Sequence, residues 1–382
     1  MRVALVRGSL LRPSELDNFA LPGVDTVAIA SRDIAADLAG WTEPPVIGLP
    51  STGELLGRLP LRVRGALELT AGKTEMLFGL RRALRGVDVA HALELDHPLT
   101  LQSLKARDAG ACRAVVASVM ENIAFPTVPN RVVAERVRTI SAGVDHFVAI
   151  TDRARLHLEL NGIDAARITV MPCGVDLDRF RADPSPPARS GPLRVLTVTR
   201  LERAKGVEDL VIAIRLLAQR GIDAQATFVG SGPLAGNITA LAQRLGIEDR
   251  IEVRGPVPWE QLTQVYREHD VFVLGSAPTV NWREQFGFAV VEAMACALPV
   301  LVGDSGSLPE VVADAASLIR PHDPPSLADA LAALAGDEAA LRRRGQESRD
   351  RAEELFDIRQ IRARMVELYE QVLATPRSAR RL

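Results

Sequence analysis

The chain has 382 residues, 47% of them hydrophobic and 25% charged, with a formal net charge of −2. That length exceeds one ordinary core and fits two domains, and the composition is that of a globular protein, not a disordered or fibrous one. Near-neutral charge without clustered Lys and Arg argues against nucleic acid as the main partner, because counterion release needs concentrated cations.

At the N-terminus, MRVALVRGSL carries an apolar stretch too short for a signal peptide. No run of about 18 apolar residues appears that would span a bilayer. Cys112, Cys173 and Cys296 are scattered without a Cys-x-x-Cys pair, which points away from zinc or a disulfide framework and towards a reducing cytoplasm. Arg81, Arg82 and Arg85 lie near apolar residues, so peripheral contact with the inner face of a membrane stays open beside the plainer reading of a solvated helix face.

Short apolar β-branched runs then alternate with Ala/Leu/Arg-rich helical stretches: Val3–Val6, Val115–Val119, Phe147–Ile150, Val195–Val198, Ala226–Val229, Val271–Leu274 and Val300–Val302. Continuous apolar strands, each followed by a helix, predict parallel sheets buried on both faces, hence an α/β, doubly wound fold. Residues 183–192, DPSPPARSGP, cannot continue a helix or a central strand. After them LRVLTVTR restarts the alternation, which predicts an N-terminal domain over 1–187 and a C-terminal one over 188–382. The last helix, about 358–373, is amphipathic, and periodicity leaves open whether it packs on its own domain or crosses back to the first.

The chemistry concentrates in the C-terminal half. Arg200 follows an apolar strand, and Lys205-Gly206 opens the next helix. Two cations and helix amides thus converge where open α/β sheets bind ligands, as an anion site requires. Lysine is scarce, with only Lys73, Lys105 and Lys205 in the chain. Gly230-Ser-Gly232 is a strand-to-helix turn, weak evidence alone. Glu284 and Glu292 bracket EQFGFAVVE. The helix that starts near Phe288 would offer amides around Phe286, Gly287 and Phe288 to a phosphate, with Glu284 just ahead of them. Glu292, inside the helix among apolar neighbours, could accept hydrogen bonds from a ribose diol. Asp176-Leu-Asp178 formally matches an acidic metal-binding triplet, but Asp176 reads better as a turn cap. No His/Asp/Glu cluster elsewhere suggests a metal site.

The segment Glu284–Glu292 resembles the glutamate-seven-glutamate signature of family-4 glycosyltransferases, the group 1 type. Other motifs agree in order: MPCGVD at 171–176 with Phe180, TRLERAKG at 199–206, FVGSGP at 228–233, RGPV from Arg254, and SGSLPE at 305–310. The resemblance covers roughly 140–375 and reaches the N-terminal half only in outline. It implies the GT-B architecture, two Rossmann-like domains facing a cleft. It also implies retaining, metal-independent transfer of a hexose-type group from a nucleoside-diphosphate sugar, a co-substrate and not a cofactor, to an unidentified acceptor hydroxyl. Arg200 and Lys205 would then grip the diphosphate, Glu284 would address the sugar, and Glu292, Gly230, Gly232, Arg254 and the Phe286–Phe288 amides would line the donor site. A nucleotide-sugar epimerase or hydrolase, or a non-catalytic nucleotide-sugar binder, are the alternatives.

The N-terminal half departs from the family pattern. Many relatives carry a Gly-Gly loop after the first strand whose amides approach the diphosphate, where this chain offers one glycine, Gly8, as the substitute on the donor side. Relatives often place a histidine after a mid-domain strand, where this chain has Met120, followed by Glu121 and Asn122. Those two residues, with His91 and His97, are the acceptor-side candidates. Trp282 walls the sugar pocket or packs in a core, with equal weight for each.

Overall fold

The computed structural model describes residues 1–38, 41–56, 74–123, 130–182 and 191–375. It separates into two compact units, Met1–Gly174 with Ile358–Leu382, and Val175–Asp357. The expected boundary at 187/188, with most of the proline-rich break, lies outside the described residues.

In the first unit, β1 (Arg2–Gly8), β2 (Asp25–Ser31), β3 (Val46–Leu49), β4 (Val87–Leu93), β5 (Cys112–Val119), β6 (His146–Ala149) and β7 (Ile168–Val170) form one sheet. Its order is β3-β2-β1-β4-β5-β6-β7, and every pairing is parallel. Successive side chains of a strand alternate faces, and β1 shows why its run is apolar throughout. Ala4 and Val6 join the core that holds Leu99 and Leu104 of helix Pro98–Asp108, whereas Val3 and Leu5 join the core on the other face. That second face is covered by helix Ile358–Ala374, through Ile361, Met365, Leu368, Tyr369 and Val372. The last helix therefore belongs to the first unit.

His91 sits in the middle of β4 and is 0% exposed. Its Nδ1 lies 2.5 Å from the Tyr369 hydroxyl and its Nε2 2.7 Å from Ser118 Oγ on neighbouring β5. Burial, with the nearby Arg7 charge, holds the imidazole well below its usual range, so it is neutral at physiological pH. One ring nitrogen thus pins the last helix to the sheet, and the other ties β4 to β5. Tyr369→Phe deletes one partner and leaves a buried nitrogen unsatisfied, which should cost about 1–3 kcal/mol. Urea unfolding at neutral pH, followed on the intact chain, measures it; an unchanged midpoint would contradict this anchoring role.

The second unit holds β8 (Leu193–Val198), β9 (Ala224–Val229), β10 (Ile251–Arg254), β11 (Val271–Leu274), β12 (Val300–Gly303) and β13 (Ala316–Ile319). They form a parallel sheet of order β10-β9-β8-β11-β12-β13. Strand order reverses between β8 and β11, and in such sheets ligands bind past the strand ends at that reversal. Among the described residues no helix is long and apolar enough to cross a membrane.

Candidate active site

The turns past β8 and β11 meet backbone to backbone. Gly206 has φ +65°, and a Cβ there would lie 2.1 Å from the Gly275 carbonyl oxygen, so only glycine lets the two turns close. Ala277 N donates to Ala204 O at 2.9 Å across the same join. This contact brings Lys205 to the far side of the reversal. Its Nζ donates to Glu284 Oε2 at 2.7 Å, and Ser276 Oγ donates to the same oxygen at 2.6 Å. Both charged side chains are only 10% exposed. The ammonium also sits over the Trp282 ring, 4.4 Å from its centroid. A third turn, past β12, fixes the glutamate's backbone, since Ser307 N donates to Glu284 O at 2.9 Å. Lys205 and Glu284, 79 residues apart, are thus a pre-built, charge-balanced pair.

Gly287, with φ +85°, caps the helix Phe288–Ala295 that follows. Its first-turn amides therefore emerge close in sequence to Glu284, as anion binding at a helix start requires. Gly230 and Gly232 turn the chain after β9 against the turn after β8; added Cβ atoms would lie 2.0 Å from Thr199 O and 2.4 Å from Leu201 O. These glycines act by permitting close packing of the two turns. Arg200 is 60% exposed along its side chain and pairs with Glu202 at 3.0 Å, so it is a solvent-screened cation, unlike the enclosed Lys205.

Two expected residues stand in other company. Glu292 is buried, and its Oε2 accepts from the Tyr266 hydroxyl at 2.7 Å. Burial pushes its carboxyl up to about 7, against the lowering pull of the Tyr266 hydroxyl, the Trp259 indole and the Arg179 guanidinium. Arg254 is occupied by Glu252 at 2.9 Å and Glu268 at 2.8 Å. Asp176 does cap a turn, accepting from Asp178 N and Arg179 N. Ser276 and Tyr266 were not singled out from the sequence. Ser276 carried one usable signal, a hydroxyl two residues past an apolar strand.

In the first unit, His91 is corrected from acceptor candidate to core residue, because it is fully buried and its nitrogens are taken by Tyr369 of helix Ile358–Ala374 and Ser118 of β5. His97 caps helix Pro98–Asp108, its Nδ1 accepting from Leu99 N, and is buried. Glu121 turns back on its own backbone, accepting from Asn122 N and Ile123 N, while Asn122 is buried. Gly8 has φ +58°, but the next amide, Ser9 N, already donates to Glu75 Oε1 at 2.7 Å. Ser9 Oγ holds the other carboxylate oxygen at 3.0 Å. A carboxylate of the chain itself therefore occupies the amide expected to face a diphosphate. Among the described residues no group of three or more His, Cys, Asp or Glu side chains is arranged to hold a metal ion.

The fold these elements define is that of the GT-B glycosyltransferases. The chain superposes on the Anabaena protein Alr3699/HepE in complex with UDP with a TM-score of 0.77 at 18% identity, over 97% of this chain and 99% of that one. It superposes on sucrose-phosphate synthase from Thermosynechococcus elongatus with a TM-score of 0.76 at 20% identity, over 98% and 99%. Residues 178–351, which contain the Lys205–Glu284 pair, match the family "Glycosyl transferases group 1". D-inositol 3-phosphate glycosyltransferase of Nocardia farcinica is 37% identical over 225 residues, 54% of this chain and 49% of the relative. The GDP-mannose-dependent alpha-(1-6)-phosphatidylinositol monomannoside mannosyltransferase of Mycobacterium tuberculosis is 31% identical over 227 residues, 56% and 58% respectively. The chain thus spans about half to three fifths of the length of these curated relatives. The resemblance read from the motif series holds over the region it covered best.

Proposed function

We propose that this chain is a retaining glycosyltransferase that moves a hexose-type group from a nucleoside-diphosphate sugar to an acceptor hydroxyl without a divalent ion. The observation that carries the reading is the Lys205–Glu284 pair, set at the reversal between β8 and β11 inside the region that matches group 1 glycosyltransferases. UDP in the complex with Alr3699/HepE and the GDP-mannose dependence of the mannosyltransferase relative support a nucleotide-linked donor.

In this reading Lys205 and Arg200 stabilise the departing diphosphate as the bond from the sugar's C1 to the phosphate oxygen breaks. The acceptor oxygen bonds to C1 on the same face, and its proton passes to the leaving phosphate oxygen. Glu284 holds a sugar hydroxyl. The protein contributes fixed charge and positioning and supplies no nucleophile. Arg and Lys stand in for a metal by offering charge-assisted hydrogen bonds to the diphosphate oxygens. Nucleotide-diphosphate release from a panel of UDP- and GDP-sugars, run with and without polyol acceptors, tests the function. Release is expected to depend on acceptor and to survive EDTA. Turnover abolished by EDTA and restored by a divalent ion would sink the metal-free diphosphate grip, and no release from any donor would sink the enzyme reading.

A further inference from the structure

The Lys205 ammonium contacts two groups at once, the Trp282 indole face at 4.4 Å and a Glu284 carboxylate oxygen at 2.7 Å. The loop that carries Trp282 is pinned for this placement. Ala277 N donates to Ala204 O at 2.9 Å, and Thr279 N to Trp282 O at 2.8 Å. Trp282 itself is half-buried, while Asn281 and Arg283 on either side are exposed. The indole is therefore folded back onto the lysine from the stretch 278–283, whose other residues are exposed.

We propose that Trp282 is a positioning residue: its indole face holds the Lys205 ammonium at the strand ends while leaving N–H donors for diphosphate oxygens. The inference rests on the reading that Lys205 addresses a diphosphate. A lysine ammonium has three donors and no acceptor. Glu284 takes one, and an aromatic face attracts the cation through its quadrupole without claiming a localised hydrogen bond. A second carboxylate in that place would neutralise the lysine and repel an incoming diphosphate. The indole does neither. When Glu284 turns to a sugar hydroxyl, Trp282 keeps the ammonium in place, so the cation does not swing away as the leaving group develops its charge.

The scarcity of lysine makes the contact readable. Reductive 13C-methylation labels Lys73, Lys105 and Lys205, the only lysines of the chain, and preserves their charge. The Lys205 methyl signal, assigned by its loss in Lys205→Arg, should lie upfield of the others because of the indole ring current. It should move to the unshifted position in Trp282→Leu and remain partly shifted in Trp282→Phe. Calorimetry with UDP and GDP supplies the second readout. For whichever nucleotide the wild type binds, Trp282→Leu should weaken binding about tenfold and Trp282→Phe less than about threefold, the span expected of a part-buried cation–π contact. Equal behaviour of the Leu and Phe variants in both measurements would show that bulk alone matters and would overturn the proposal. An unshifted wild-type methyl signal with normal nucleotide binding also overturns it and leaves the donor reading intact. Failure of the wild type to bind either nucleotide overturns the donor reading and, with it, the purpose assigned to Trp282.

Discussion

Lys205→Ala is expected to lower turnover with a nucleoside-diphosphate donor by a hundredfold or more, about 3–4 kcal/mol of lost transition-state stabilisation. The enclosed position sets that magnitude. The lysine side chain is 10% exposed, so little water screens it from a charge that grows as the leaving group departs. Arg200→Ala should cost less, because its 60% exposed guanidinium works through solvent and already leans on Glu202. The lysine variant also strands Glu284 without its cation, which adds a ground-state effect unrelated to the diphosphate. Lys205→Ala, Glu284→Gln and the double variant together resolve the two contributions. If the double variant recovers most of the activity lost in Lys205→Ala, the loss comes from the stranded carboxylate. Near-normal kinetics in folded Lys205→Ala would move the site elsewhere in the chain.

The two glutamates should fail in different ways. Glu284 lies ahead of the helix and against Lys205, whereas Glu292 lies inside the helix against Tyr266. Glu284→Gln removes the charge that balances Lys205, so free UDP or GDP should bind as well as before or slightly tighter. With an intact donor its turnover should fall by roughly a hundredfold, as for loss of a contact that strengthens in the transition state. Glu292→Gln should weaken the free nucleotide itself by about tenfold, the worth of one charge-assisted hydrogen bond from a ribose hydroxyl. A pH signature accompanies it. Burial lifts the Glu292 carboxyl to about 7 in the donor-free protein, and a diol that donates hydrogen bonds selects the deprotonated form. Nucleotide affinity should therefore rise about tenfold from pH 6 to pH 8, and Glu292→Gln should flatten that rise. Calorimetric titration at both pH values decides it. Weaker nucleotide binding by Glu284→Gln than by Glu292→Gln would reverse the two assignments.

The sequence carried the sheets well, because strands such as VALV and VFVL are buried on both faces and write their burial as unbroken apolar runs. It also set Lys205 and Glu284 in the segments that follow β8 and β11, and the Gly230–Gly232 turn directly after β9. What stayed hidden depends on partners far along the chain. Nothing around His91 announces a tyrosine 278 residues away, and a histidine in a parallel strand reads equally well as a ligand. Glu75 meets Ser9 across 66 residues, so the single-glycine turn at Gly8 looked vacant. Glu292 sat correctly on its helix, but its hydroxyl partner lies on a different helix, Leu262–Arg267. Periodicity tells which face of an element is buried and is silent about which polar group waits there.

The C-terminal helix bears on how the chain is made. A ribosome delivers residues 1–174 before residues 358–374, yet the sheet face formed by Val3, Leu5 and Val116 takes part of its cover from that late helix, through Ile361, Met365, Leu368 and Tyr369. The unit Val175–Asp357, continuous in sequence, can close while its predecessor is still waiting. Synthesis can therefore complete the later unit first, while part of the earlier unit's apolar sheet face waits for residues 358–374. A chain cut just before Ile358 would keep the unit Val175–Asp357, with the candidate donor site, and lose the helix that covers the first unit's sheet.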